Sequence, residues 1–245
     1  MASPLEGLTL GVWNVDPSHS EVGFTVRHLM VSKVKGRFGG VTGTITVAEN
    51  VLDSVVEASA GVATVDTRDE KRDGHLKSAD FFDAETFPSI TFRSTGITEK
   101  GSDYLLAGDL TIKGVTKPVE FELEYNGAAT NPMTSGQSVG FSAETEVNRK
   151  DFGLEWNVAL ESGGVLVADK VKIHLEIEAA KAAARALLAA TPGPEPADFV
   201  EHGVEVRATP DLLADIVGVR IETVQAVIGA LLGSVTDDGY LAVMA

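Results

Sequence analysis

The chain has 245 residues, 44% hydrophobic and 23% charged, enough for one large β domain or for one domain plus a small second one. Its 36 acids against 20 bases leave a net charge of −16, which disfavours nonspecific attachment to nucleic acid or to an anionic membrane surface. The absence of cysteine excludes disulfides, thiolate catalysis and zinc–sulfur sites.

The first residues lack the basic and apolar regions of a signal peptide, and no apolar run approaches the roughly 20 residues that span a bilayer. A cytoplasmic protein without a membrane span is the expectation. From Trp13 to Phe38 residues alternate: Val22, Phe24 and Val26 share one face of an extended strand, and Glu21, Thr25 and Arg27 the other. Period two continues through strand-like runs at 41–47, 54–65, 89–94, 104–112, 119–125, 138–147 and 165–177, punctuated by Gly, Asn, Asp and Pro. Some eight strands in sequence predict a mainly β protein, an antiparallel sheet closed on itself. Residues 68–82 are the exception, a short charged helix ending in Phe81 and Phe82, which would edge or plug one barrel end.

The period changes at Glu178. An alanine-rich run from 179 to 190 predicts a helix, and the prolines of 191–196 stop it and form a linker. In the remaining 197–245, Thr209, Pro210 and Asp211 resemble a helix start. Leu213, Val217, Gly218, Val224 and Val227 then have helix-turn-helix spacing, with a hairpin wing around Asp238 and Gly239. This resembles a winged-helix module. Residues 182–245 hold three arginines and nine acids, however, so nucleic acid is not the expected partner. An acidic interaction or homodimerisation module fits better.

No nucleophile elbow, phosphate loop or dinucleotide fingerprint is present, and catalysis has no positive sign. The five histidines do not gather into a metal site by spacing. His174 lies on the polar parity of its strand, and His28 shares the inward parity of Phe24 and Val26. The acids Asp66, Asp69, Glu70 and Asp73 alternate with Arg68, Lys71 and Arg72 as on the solvated face of a short helix.

Several segments occur in a familiar order: Asp16-Pro-Ser-His-Ser20, His28, Gly36-Arg-Phe38, the stretch from Arg72 to Phe82, Phe87 to Phe92, Gly108 to Pro118 and Arg149 to Asn157. Together they resemble the YceI family of lipid-binding proteins over 12–178. The resemblance implies an eight-stranded antiparallel lipocalin-like barrel whose apolar pore holds a long-chain isoprenoid lipid. The expected ligand is therefore a polyisoprenoid or quinone-like lipid, with no cofactor, no metal and no catalytic residue. Strand parity and the segments that carry the resemblance give Phe24, Val26, His28, Phe38, Ile90, Phe92, Leu106, Leu110, Phe121, Leu123, Phe141 and Trp156 as candidate ligand contacts. Ala58, Ala60 and Gly108, small residues of inward parity, leave room for it. A ligand-responsive regulator acting through the C-terminal module is the alternative reading.

Overall fold

The computed structural model describes residues 5–132, 135–160 and 164–182. Its strands are β1 (Gly11–Val15), β2 (Glu21–His28), β3 (Ser32–Phe38), β4 (Thr42–Val47), β5 (Val55–Gly61), β6 (Ser89–Lys100), β7 (Asp103–Ile112), β8 (Val115–Thr130), β9 (Gln137–Asn148) and β10 (Val167–Lys181). The ring runs β1-β4-β5-β6-β7-β8-β9-β10 and closes by β10 pairing with β1. All the pairings are antiparallel, and the ring is the closed eight-stranded barrel expected from the sequence.

The hairpin β2–β3 extends two of these staves. β10 pairs with β2 from Val167 to Glu176 and with β1 from Ala179 to Lys181, so β1 and β2 form one stave broken at residues 16–20. β3 and β4 form the next, broken at residues 39–41. β3 pairs along its length with β2 alone, apart from a single bridge between Arg37 and Asp66.

That leaves a seam beside β3, and the segment between β5 and β6 covers it. The chain leaves the sheet at Val62, whose N–H donates to Pro88 O at 2.9 Å, and forms the helix α1 (Glu70–Lys77). Asp69 caps α1 by accepting from Arg72 N–H, which satisfies an otherwise orphaned donor. Arg72 donates to Thr67 Oγ1 and O at 2.7 and 2.8 Å, and Asp73 Oδ1 accepts from Thr67 N–H at 2.9 Å. Part of the charge on this helix therefore ties it to the preceding segment at Thr67, next to the Asp66 that bridges to Arg37 of β3, rather than only solvating it. Phe82 stands edge-on to Phe38 with centroids 5.3 Å apart, closing the seam from inside.

Three elements differ from the sequence reading. The alanine-rich stretch begins as strand: Ala179 is fully buried opposite Val15, and β10 continues to Lys181. Barrel closure needs that pairing, and tertiary packing overrides helix propensity. β6 and β8 run longer than predicted, with register shifts at Ser94/Gly96 and Tyr125/Gly127 that bend the strands. The helix and proline linker beyond 182 and the helix-turn-helix-like module of 197–245 lie outside the described residues.

Gly108 also corrects an expectation. Its missing side chain does not leave space for a ligand, because the Phe92 ring lies on it: a Cβ built there would sit 2.3 Å from Phe92 Cζ and 2.6 Å from Arg93 O. Gly108→Ala is expected to destabilise the protein by about 1–3 kcal/mol. An unchanged midpoint in a urea melt would contradict this packing.

Candidate functional site: an apolar lumen

The inward parity of every stave meets in one elongated cavity of about 250 Å³, and the surface facing it is apolar. It is lined at one end by Leu5, Leu8, Val51 and Tyr125 and at the other by Phe81, Phe152, Leu154 and Val167, so it runs the length of the barrel. The wall residues Val22, Phe24, Val26, Ile90, Phe92, Leu123, Ile173 and Leu175 are only half-buried although they point inward. In a packed core such side chains would be fully buried. The lumen is hollow.

Phe24, Val26, Phe38, Ile90, Phe92, Leu106, Leu110, Phe121, Leu123 and Phe141 all line it, as do Ala58 and Ala60. Two sequence candidates do not. His28 stands at the end of β2, paired with Ser32 where the hairpin turns, beyond the cavity wall. Trp156 packs behind the wall, its ring 5.2 Å from Phe81 and 4.7 Å from His75. Strand parity reports which way a residue faces, and not where along the stave the lumen stops.

The structure adds wall residues that parity does not reveal. Leu5 and Leu8 belong to a strap outside the predicted boundary at residue 12. Tyr125 Oη donates to Glu6 O at 2.7 Å, and Lys181 Nζ donates to Thr9 O at 3.0 Å and to Leu10 O. Trp13 Nε1–H donates to Thr9 O at 2.9 Å from a fully buried ring. No periodicity marks this strap in the sequence.

The opposite end is closed by Leu76, Phe81 and Phe82 of the α1 segment and by Phe152 and Leu154 of the turn after β9. Arg149, buried on the wall, holds that turn in place. Its Nε–H donates to Ala168 O at 3.1 Å, and Nη1–H donates to Leu154 O and to Trp156 O, the latter at 2.9 Å. Nη2 forms an ion pair with Asp169 Oδ1 at 3.5 Å. Burial lowers the pKa of this guanidinium from its ordinary value and the Asp169 carboxylate pushes it back up.

Outside the lumen, Asp16, His19 and Glu178 place three donor atoms within 4.8 Å of one another. Their hydrogen bonds identify a brace at the break between β1 and β2. Asp16 accepts from Ser18 N–H and Oγ–H at 2.8 and 2.6 Å and pairs with His19 Nδ1 at 2.9 Å. Ser20 Oγ–H donates to Glu178 O at 3.1 Å, fastening the break to β10. Hydrogen bonds from Ser18 and His19 lower the Asp16 pKa to about 2, and the Asp16 carboxylate raises that of His19 above 6.5. A raised imidazole contributes stability that is present below pH 6.5 and lost as pH rises through its folded value. The lowered carboxyl contributes above 3.8 and loses its contribution as pH falls towards about 2. The brace is therefore strongest between these limits. In an NMR titration the His19 midpoint is expected above 6.5 and to fall towards it in Asp16→Asn, where Glu178 still acts on the ring; a midpoint unmoved by that change would contradict the pairing.

The outward faces carry cross-strand ion pairs, Glu57–Arg93 at 2.9 Å, Lys100–Glu122 at 2.6 Å and Glu146–Lys170 at 2.7 Å. A barrel that is charged outside and apolar inside is the reverse of one that spans a membrane. None of the described helices is long and apolar enough to cross one either.

A closed antiparallel barrel with an apolar lumen defines a lipocalin-like binding fold. Residues 13–179 match the model of the YceI-like domain, and the chain belongs to the YceI-like family. A UPF0312 protein of Staphylococcus aureus strain N315 is 40% identical over 166 residues, 66% of this chain and 94% of that protein. The Campylobacter jejuni YCEI protein superposes with a TM-score of 0.55 at 26% identity, over 64% of this chain and 90% of that one. A polyisoprenoid binding domain from Saccharophagus degradans superposes with a TM-score of 0.54 at 16% identity, over 71% of this chain and all of that one. This last likeness is one of fold.

Proposed function

We propose that this protein binds and carries, without chemical conversion, a polyisoprenoid or similar long-chain apolar lipid in the barrel lumen. The observation that supports this reading is the hollow, end-to-end apolar cavity. By the cost measured for engineered cavities, about 24 cal/mol per Å³, leaving some 250 Å³ unfilled would cost on the order of 6 kcal/mol. That is comparable to the whole stability of an ordinary domain, about 5–15 kcal/mol. A guest that fills the lumen recovers much of it. Each buried methylene contributes about 0.8 kcal/mol, so a five-carbon isoprene unit contributes on the order of 3–4 kcal/mol before ordering costs.

An elongated lumen with an apolar surface suits a chain rather than a compact polar molecule. It selects by length and girth, leaving any head group to the barrel ends. The fold shared with the polyisoprenoid-binding domain of Saccharophagus degradans supports the same class of ligand. Native mass spectrometry and organic extraction of the purified full-length chain are expected to yield a long-chain lipid. If nothing apolar co-purifies and added polyprenols are not retained, the reading fails.

A further inference from the structure

We infer that the β2–β3 hairpin is a docking element for the surface of an anionic lipid bilayer. The inference goes beyond lipid holding, because attachment is read without reference to what the lumen contains. Residues 22–38 hold Arg27, Lys33, Lys35 and Arg37 and no acid, in a chain whose net charge is −16. Arg37 is paired with Glu21 and Asp66, whereas Arg27, Lys33 and Lys35 are exposed and have no ion-pair partner within 4.0 Å among the described residues. Arg27 and Lys33 stand directly opposite each other across the two strands. Like charges in that position repel, and an anionic partner relieves the repulsion. On the adjoining strand β10, Lys172 pairs in register with Thr25 and extends the basic face.

The hairpin tip is apolar and open to solvent: Leu29 is 39% exposed, Met30 54% and Val31 80%. Leu29 and Met30 both hold positive φ, 52° and 61°, in a turn where Val31 N–H donates to His28 O at 3.1 Å. Asn or Gly takes that conformation at less cost, and bulky apolar residues seldom occupy it. Lysines on the edge strand β3 would by themselves serve to block edge pairing. That role leaves the strained, exposed apolar tip unaccounted for. An apolar tip flanked by cations matches the two layers of a bilayer surface, acyl chains beneath anionic head groups.

Global charge does not oppose this locally. At physiological ionic strength fields decay over about 8 Å, so a bilayer touching the hairpin is acted on chiefly by the hairpin's own cations. The tip also adjoins the lumen. Leu29 N–H donates to Leu166 O at 2.9 Å, and Val26 and Val167, on either side, are both wall residues. Docking there would set one end of the cavity against the membrane.

The test is flotation of the full-length protein with phosphatidylcholine vesicles, with and without phosphatidylglycerol, at physiological and high salt. Attachment is expected only with phosphatidylglycerol and is expected to fall as salt rises. Met30→Asn with Val31→Asn, and separately Lys33→Gln with Lys35→Gln, are each expected to lower the bound fraction roughly tenfold or more. All four positions are exposed or half-exposed and Asn accepts the left-handed turn, so fold and co-purifying lipid should be retained. Failure to float with phosphatidylglycerol vesicles at physiological salt would overturn the inference, as would wild-type attachment by both variants. Self-association that is lost in the Asn variant, without vesicle attachment, would assign the tip to a second copy instead.

Discussion

Ala143→Phe is expected to cut the lipid that co-purifies with the protein by about two orders of magnitude. Ala143 sits on the inner face of β9 between Leu123 and Leu175, beside Leu106 and Phe121, and is 5% exposed. A phenyl group in place of one hydrogen of its methyl would enter the lumen partway along the barrel. Denying the guest one isoprene unit forfeits on the order of 3–4 kcal/mol, and each 1.4 kcal/mol is a factor of about ten. Overpacking costs about 1–3 kcal/mol elsewhere in cores, but here the ring enters a void, so the circular dichroism melt should change little. Quantitative mass spectrometry of the extracts is the check. If the variant carries the same lipid in the same amount, the lumen is not where the lipid sits.

Arg149→Met should have the largest effect on stability. It removes the donors to Ala168 O, Leu154 O and Trp156 O and the ion pair with Asp169, leaving three carbonyls at a buried site without their partner. Breaking such a network costs about 3–5 kcal/mol, which lowers the melting temperature of a domain of this size by about 10 °C. Arg149→Lys is expected to recover only part of the loss, since one ammonium cannot reproduce the forked geometry. Phe152 and Leu154 depend on the same turn and close one end of the lumen, so lipid retention should fall with stability. A melt within about 2 °C of wild type would show that the turn is held by other contacts.

Much of this architecture was legible from residue alternation. Val22, Phe24 and Val26 point inward and Glu57, Arg93 and Glu122 outward because side chains of a strand alternate strictly, and a barrel converts that alternation into inside and outside. The errors fall where a residue's neighbours come from distant parts of the chain. His28 and Trp156 have the right parity or composition for the lumen, but one lies past the end of the wall and the other behind it. Ala179 has the helix propensity of its neighbours and is strand because Val15 is opposite it. Leu5 and Leu8 line the cavity from a strap with no period at all. Gly108 has inward parity, yet its space belongs to Phe92.

Charge follows the same division. A net −16 is a property of composition and argues against anionic surfaces, whereas pairing β2 with β3 gathers Arg27, Lys33, Lys35 and Arg37 into one hairpin whose only acid is Glu21 at its far end, opposite the tip. The sequence by itself determined the closed antiparallel class, the apolar interior and the family, because each rests on local alternation or on short motifs. Only the tertiary structure decided that the interior is hollow, which residues bound it and where exposed cations meet an exposed apolar tip. Volume and proximity depend on how far apart the staves are held, and no single strand carries that information.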